Sequence, residues 1–372
     1  MRRLSEHVDF VVISTHLDEE LKPLVRWRRV PAPGKMWGRL TWAAFFLGAW
    51  VRTRGIRADL VHTSGAAPLL YRPVDLAFVS FCHSLYHASL DGRPRRGLLG
   101  LWRLARRATL GLERLCYRPS RVRMFAAESA GGKQTLEHHF PGIEATIVPT
   151  AIDTTRFRPD EDAREELRHS EGVGPDEQIA LFVGRDWELK GLPEAIQGLA
   201  QASRLGQNAM RLWVLGTGNL HKYEAVAASA GVAERVHFFG IRRDIERFYQ
   251  ASDLLVLPTL CEMFCRAAHE AAACGLPIVA TRANGIAELI GDDEAGLPVE
   301  RDAVSVGRAL ARLASDRALG SRLGEEGRRR SLVYTEDRTV EALLDAYERL
   351  LAGGASGGRR KPVAIADHPP ER

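Results

Sequence analysis

Five short apolar runs recur through the second half of the chain: Ile179 to Val183, Leu212 to Leu215, Val236 to Phe239, Leu254 to Leu257 and Ile278 to Thr281. Amphipathic stretches long enough for a helix separate them. Apolar runs of this length alternating with helical periodicity predict βαβ units, and so a parallel sheet covered on both faces. The first half repeats the pattern less regularly, with strands expected at Phe10 to Ser14, Leu60 to Thr63, Leu76 to Phe81, Met124 to Ala127 and Thr146 to Val148. The polar stretch Asp153 to Glu177 divides the two halves. The expected architecture is α/β, with two Rossmann-like doubly wound domains facing across a cleft. The first spans 1–155 and the second 156–335. A helix over 336–352 is expected to pack back towards the first domain. Residues 353–372, rich in Gly, Pro and charge, read as a disordered tail.

At 372 residues there is room for two full cores, and 45% hydrophobic with 27% charged residues is ordinary for a globular protein. The five cysteines (Cys82, Cys116, Cys261, Cys265, Cys274) are too scattered for a disulfide scaffold, so a reducing cytoplasm is the simplest home. No secretory leader is visible. The longest apolar run, Leu40 to Val51, is too short to span a bilayer.

The net charge of +5 is concentrated between Gly92 and Arg123, where ten arginines face a single glutamate. On a helix over 96–118, Arg96, Arg103, Arg107, Arg114 and Arg118 form one stripe. Leu98, Leu101, Ala105, Ala108, Leu112 and Cys116 fall opposite, with Trp102 at the flank. Such a helix either lies on anionic lipid at the inner face of the cell membrane or packs its apolar side inward and leaves its arginines solvated. No helix-turn-helix, RNP motif or zinc module is present, so nucleic acid is not an expected partner.

Chemistry concentrates at the carboxyl ends of the second-half strands, where open α/β sheets bind ligands. Gly184-Arg185 ends the first of these strands, and Lys190-Gly191 precedes the next helix. A guanidinium fork and an ammonium in one loop suit a diphosphate, although surface cations are common. Gly216-Thr217-Gly218 and Gly240 occupy the equivalent place after the next two strands, and as isolated turns they are weak signals. After the fourth strand comes Glu262-Met-Phe-Cys-Arg-Ala-Ala-His-Glu270. Glu262 stands before a helix and Glu270 about two turns further along. The amides of Met263, Phe264, Cys265 and Arg266 are placed to meet phosphate, Glu270 to accept both hydroxyls of a ribose, and Glu262 to accept those of a sugar. Two solvated acids near a helix start is the bland alternative. Asn284-Gly285 makes a further turn after the fifth strand. Cys261, Cys265 and His269 share a four-residue spacing but lack the further ligands of a structural zinc site. Asp160-Glu161-Asp162 reads as a solvated charge run.

The segments "LFVGRDWELKG", "LWVLGTGN", "VHFFGIRRDIERFYQASDLLVLPT" and "CEMFCRAAHEAAACGLPIVATRANGIAELI" together resemble the nucleotide-binding half of the family-4 retaining glycosyltransferases of GT-B fold. "IVPTAIDTTRFRPD" is similar to that family's linker, and the likeness covers roughly residues 120 to 350. It implies a nucleotide-diphosphate sugar as co-substrate, no cofactor and no required metal. It also implies an envelope glycan or lipid-linked acceptor. Arg185 and Lys190 would hold the diphosphate, Glu270 the ribose and Glu262 the donor sugar. His83, in "VSFCHSLYH", matches the family's first-domain histidine near that sugar. Two departures stand out. Met263 and Cys265 occupy places where the family usually has glycine, and their side chains are expected to narrow the donor pocket. The family's opening β-α unit is expected to be missing, because "MRRLSEHVDFVVIS" looks like its second strand. The rival readings are a degenerate nucleotide-binding protein, a sugar-nucleotide epimerase or phosphorylase of the same fold, and a basic scaffold at the membrane.

Overall fold

The computed structural model describes residues 2–30, 48–65, 73–90, 99–353 and 365–366, and the side chains of all but 99–105 and 365–366. The chain divides into two compact units, one built from 1–149 with 339–372 and the other from 150–338.

The second unit is a six-stranded parallel sheet made from one continuous stretch of chain. Its strands are β7 (Gln178–Gly184), β8 (Met210–Gly216), β9 (Val236–Gly240), β10 (Leu254–Leu257), β11 (Ile278–Ala280) and β12 (Gly296–Pro298), in the order β12-β11-β10-β7-β8-β9. The order runs one way from β7 and the other way from β10, so the loops after these two strands flank the point where the direction of winding reverses. β10, β11 and the middles of β7 and β8 are buried, whereas β9 at the sheet edge is mostly half-buried. Phe182, Leu181, Trp213, Val256 and Val279 pack with Phe248 and Tyr249 from the helix Ile245–Ala251. Burial on both faces explains why these strands read as continuous apolar runs without alternation.

The first unit carries β1 (Phe10–Ser14), β2 (Val25–Arg29), β3 (His62–Ser64), β4 (Val74–Phe78), β5 (Val122–Ala127), β6 (Glu144–Ile147) and β13 (Ile365–Ala366). All are parallel, in the order β2-β1-β13-β3-β4-β5-β6. β13 comes from the expected disordered tail. It pairs Val12 with Ile365, Ile13 with Ala366, and Ala366 with Thr63. The rest of that tail lies outside the described residues. The helix Glu336–Ala352 belongs to this unit: Val340, Tyr347 and Leu350 lie on one face and pack against Val12, Leu76 and Met124. Its position is also fixed by polar contacts. The Tyr347 hydroxyl is 2.8 Å from His62 Nδ1, and Arg123 donates to the Leu350 carbonyl (2.8 Å) while pairing with Asp75 (2.8 Å).

The basic helix runs Leu99–Cys116 and differs from expectation. Arg96 and Leu98 lie outside the described residues, as do the side chains of Leu101, Trp102, Arg103 and Ala105. Arg107 and Arg114 are exposed, and so is Arg118 just past the helix end. However, Ala108 and Leu112 are exposed too, Leu112 to 51%, and the buried face centres on Glu113 and Cys116. The cause is Glu113. Its carboxylate accepts from the His83 amide (2.7 Å), the Ser84 amide (2.8 Å) and the Ser84 hydroxyl (2.6 Å), so it must face inward. Satisfying a buried carboxylate outranks burying one leucine. Among the described residues, no helix is long and apolar enough to cross a membrane.

Candidate active site

The loop after β7 closes on a one-turn helix, Trp187–Lys190, capped by the Asp186 carboxylate accepting from the Leu189 amide (2.9 Å). Gly191 then turns left-handed (φ 87°) against the Pro258 carbonyl, where a β-carbon would overlap backbone. The loop after β10 is tied to this one, because the Leu260 amide donates to the Leu189 carbonyl at 2.8 Å. Two backbone segments sharing a hydrogen bond at the reversal point fix where their side chains meet.

That meeting is between Lys190 and Glu262. The ammonium donates to Glu262 Oε1, with side-chain exposures of 23% and 10%. Burial alone would pull the lysine down, but the carboxylate and two nearby thiols outweigh it and hold Lys190 above its ordinary value. Glu262 Oε1 also accepts from the Thr259 hydroxyl (3.2 Å), and its carbonyl accepts from Asn284 Nδ2 (2.7 Å). Thr259 is itself held, since the Thr281 hydroxyl donates to its carbonyl at 2.7 Å. Loops from three strands thus converge on Glu262, two of them on its carboxylate and the third on its backbone carbonyl.

Glu270 lies in the helix Arg266–Ala273 with a 12% exposed side chain. The Tyr249 hydroxyl donates to Oε2 (3.1 Å) and Arg266 lies 3.4 Å from Oε1. Burial holds its carboxyl above the ordinary value despite Arg266 and Tyr249, which pull the other way. Burial pushes the Cys265 thiol well up, with the Glu262 and Glu270 carboxylates adding to the effect and Lys190 opposing it.

The remaining sequence candidates divide. Gly184 and Gly216 are register partners, and a β-carbon on Gly216 would overlap the Gly184 carbonyl. Gly285 packs on the Phe264 backbone, 2.5 Å from a β-carbon built there. Arg185 is exposed at the end of β7. Gly240 ends β9, on the outer edge of the sheet. Met263, Phe264 and Cys265 are 3%, 2% and 6% exposed. This corrects the expectation that Met263 and Cys265 narrow an open pocket: both side chains are turned into the protein, and Cys265 joins the core cluster. Arg266 is exposed apart from its contact with Glu270. His83 belongs to the first unit, exposed at the start of the helix His83–Ser89, where Glu113 holds its amide. Among the described residues no set of three His, Cys, Asp or Glu side chains comes together as metal ligands.

Sequence reading missed Tyr249, Thr259 and Glu113. Glu113 alone carried a signal, as the one acid in a run of arginines.

Residues 163–330 match the family described as Glycosyl transferases group 1, and residues 1–156 match Glycosyltransferase Family 4. A D-inositol 3-phosphate glycosyltransferase of Segniliparus rotundus is 33% identical over 221 residues, covering 56% of this chain and 48% of the relative. The chain spans about half the length of the curated relatives it matches. Among solved structures, WaaG, a glycosyltransferase involved in lipopolysaccharide biosynthesis, superposes with a TM-score of 0.74 at 21% identity, covering 96% of this chain and 95% of its own. Anabaena HepE in complex with UDP and glucose gives 0.64 at 16% identity, with 91% of each chain covered. With each half matched by its own family model and the fold shared along nearly its whole length, the chain belongs to the family-4 glycosyltransferases of GT-B fold.

Proposed function

We propose that this protein is a retaining glycosyltransferase that moves a sugar from a nucleotide-diphosphate sugar to an envelope glycan or lipid-linked acceptor. The observation that carries the reading is the half-buried Lys190–Glu262 pair at the winding reversal, with Glu270 on the helix that follows it. In this reading Lys190 and Arg185 meet the diphosphate with the amides of Met263 to Arg266. Glu270 accepts the ribose hydroxyls, and Glu262 accepts a hydroxyl of the donor sugar. As the bond between sugar and diphosphate breaks, negative charge grows on the leaving phosphate, where preorganised cations and amides stabilise it most. The reading invokes no metal. Following the family's front-face route, the leaving phosphate takes the acceptor hydroxyl's proton while the new glycosidic bond forms on the face being vacated. That HepE is solved with UDP supports a nucleotide sugar as partner. The relatives named for D-inositol 3-phosphate add a phosphorylated polyol to the acceptors worth assaying.

The test is a thermal-shift screen against UDP-, GDP-, ADP- and dTDP-sugars, repeated with Glu270→Ala. One nucleotide class should stabilise the parent and lose its effect in the variant. No shift from any of them would count decisively against the reading. A nucleotide-binding protein without transfer is the second reading, favoured by the left-handed backbone that Cys265 adopts where glycine would be unstrained. It would show the shift without product. For the membrane, the exposed Arg107, Arg114, Arg118 and Leu112 suit an anionic lipid surface. Replacing Arg107 and Arg114 with glutamate should release the protein from phosphatidylserine vesicles, and unchanged binding would remove the lipid proposal.

A further inference from the structure

Cys265 stands at the N-cap of the helix Arg266–Ala273 with φ 76° and ψ 77°, in the left-handed region, and its side chain makes no capping bond. A residue with a β-carbon is strained there, whereas glycine is not. The turn nonetheless has to hold, because it sets the direction of the helix's first amides. Cys265 is gripped from the next turn of the same helix. His269 is fully buried, and its Nδ1 lies 3.0 Å from the Cys265 carbonyl. Its ring stacks on Phe264 at 3.9 Å and 17°, and Tyr334 meets both rings edge-on.

The chemistry of that grip is unusual. A carbonyl only accepts, so Nδ1 carries the proton and Nε2 is a bare acceptor. Nε2 is buried and has no partner among the described residues. The Cys265 carbonyl does not need the imidazole, since it already accepts the Ala268 and His269 amides at 3.1 and 3.4 Å. An apolar side chain of similar size would fill the same space and leave no orphaned nitrogen, and would therefore give a more stable fold. Burial keeps the imidazole neutral down to about 4, which preserves the tautomer across ordinary pH.

We propose that His269 is a positioning residue of the donor site: its Nδ1–H and its stack on Phe264 hold Cys265 in the left-handed turn that aims the first amides of the following helix at the diphosphate. The inference rests on the donor-site reading above. His269 touches no substrate and acts through the backbone of 264–266.

The experiment compares His269→Leu, Cys265→Gly and the double variant in the full chain. The readouts are melting temperature, UDP affinity by calorimetry with GDP, ADP and dTDP in parallel, and hydrogen exchange of the 264–268 amides. His269→Leu should melt at or above the parent, bind the preferred diphosphate about tenfold more weakly and exchange those amides about tenfold faster. Adding Cys265→Gly should bring both back to within about twofold, because glycine takes the turn without a clamp. A His269→Leu protein that melts lower with affinity unchanged, or a loss that Cys265→Gly does not rescue, overturns the proposal. Should the parent bind no nucleoside diphosphate, the donor-site reading fails by itself. Exchange at 264–268 then still decides the clamp: acceleration reversed by Cys265→Gly upholds it, and no acceleration ends it.

Discussion

The second unit is one unbroken length of chain, 150–338, whereas the first is two, 1–149 and 339–372. Both are parallel sheets wrapped in helices, yet they differ in how locally they are specified. Each second-unit strand is joined to the next by nearby helices, and its candidate site is assembled from the loops that follow β7, β10 and β11. The first unit needs a helix and a strand that come after the second unit has been made. Contiguity is what made one unit's chemistry traceable and the other's obscure.

The sharpest way to separate the two is to break one ion pair in each. Lys190→Ala leaves the 10% exposed Glu262 carboxylate without its cation. Sugar transfer should fall by about 10²- to 10³-fold, measured as product formed at saturating donor. Arg123→Ala, which removes the Asp75 pair and the bond to the Leu350 carbonyl, should loosen the first unit and leave nucleotide affinity intact. Equal loss of activity from both would refute the division of labour.

Two histidines, half-buried His62 in the first unit and buried His269 in the second, are pulled from 6.5 to about 4 by desolvation. Their folded values lie below their unfolded ones, so the unfolded chain binds more protons between those limits. The stability they contribute is complete above pH 6.5 and is lost as pH falls towards about 4. The loss is on the order of 3 kcal/mol for each. Unit-resolved hydrogen exchange should show His62→Phe flattening the acid limb of the first unit alone, and His269→Leu that of the second alone.

Truncation after residue 353 tests β13. It should lower the melting of the first unit by about 5–10 °C and leave UDP affinity unchanged. An unaltered first unit would show that Ile365 and Ala366 add nothing to the sheet. The smallest effect expected is that of Tyr249→Phe, which removes one hydrogen bond to Glu270. Nucleotide affinity should weaken by about fivefold, or about 1 kcal/mol.

Most of the fold was legible. β1 and β10 fall on the runs read from sequence, and β7, β8 and β9 extend theirs by a residue or two. The missed strands were those without an apolar signature. β2 is Val-Arg-Trp-Arg-Arg at a sheet edge, where charge is tolerated and useful. β12 is three residues long, and β13 is two residues in a Gly- and Pro-rich segment. In the site, Glu262, Glu270 and Lys190 could be picked out because each sits at a fixed offset from a strand or helix. Tyr249 could not, because its bond to Glu270 joins helices on either side of β10 and leaves no local pattern. The basic helix was misread in rotation for the same reason. Glu113 makes its bonds to residues about thirty positions away, which periodicity does not register.

The place of β13 between β1 and β3 bears on how the polypeptide reaches its native state. As synthesis proceeds, the second unit has all its strands once residue 338 has emerged, and it is free to fold while translation continues. The first unit must wait, with β1 and β3 unpaired along their facing edges until Ile365 and Ala366 arrive. Those open edges, more than the second unit, are where a nascent chain would meet chaperones or stray into aggregates.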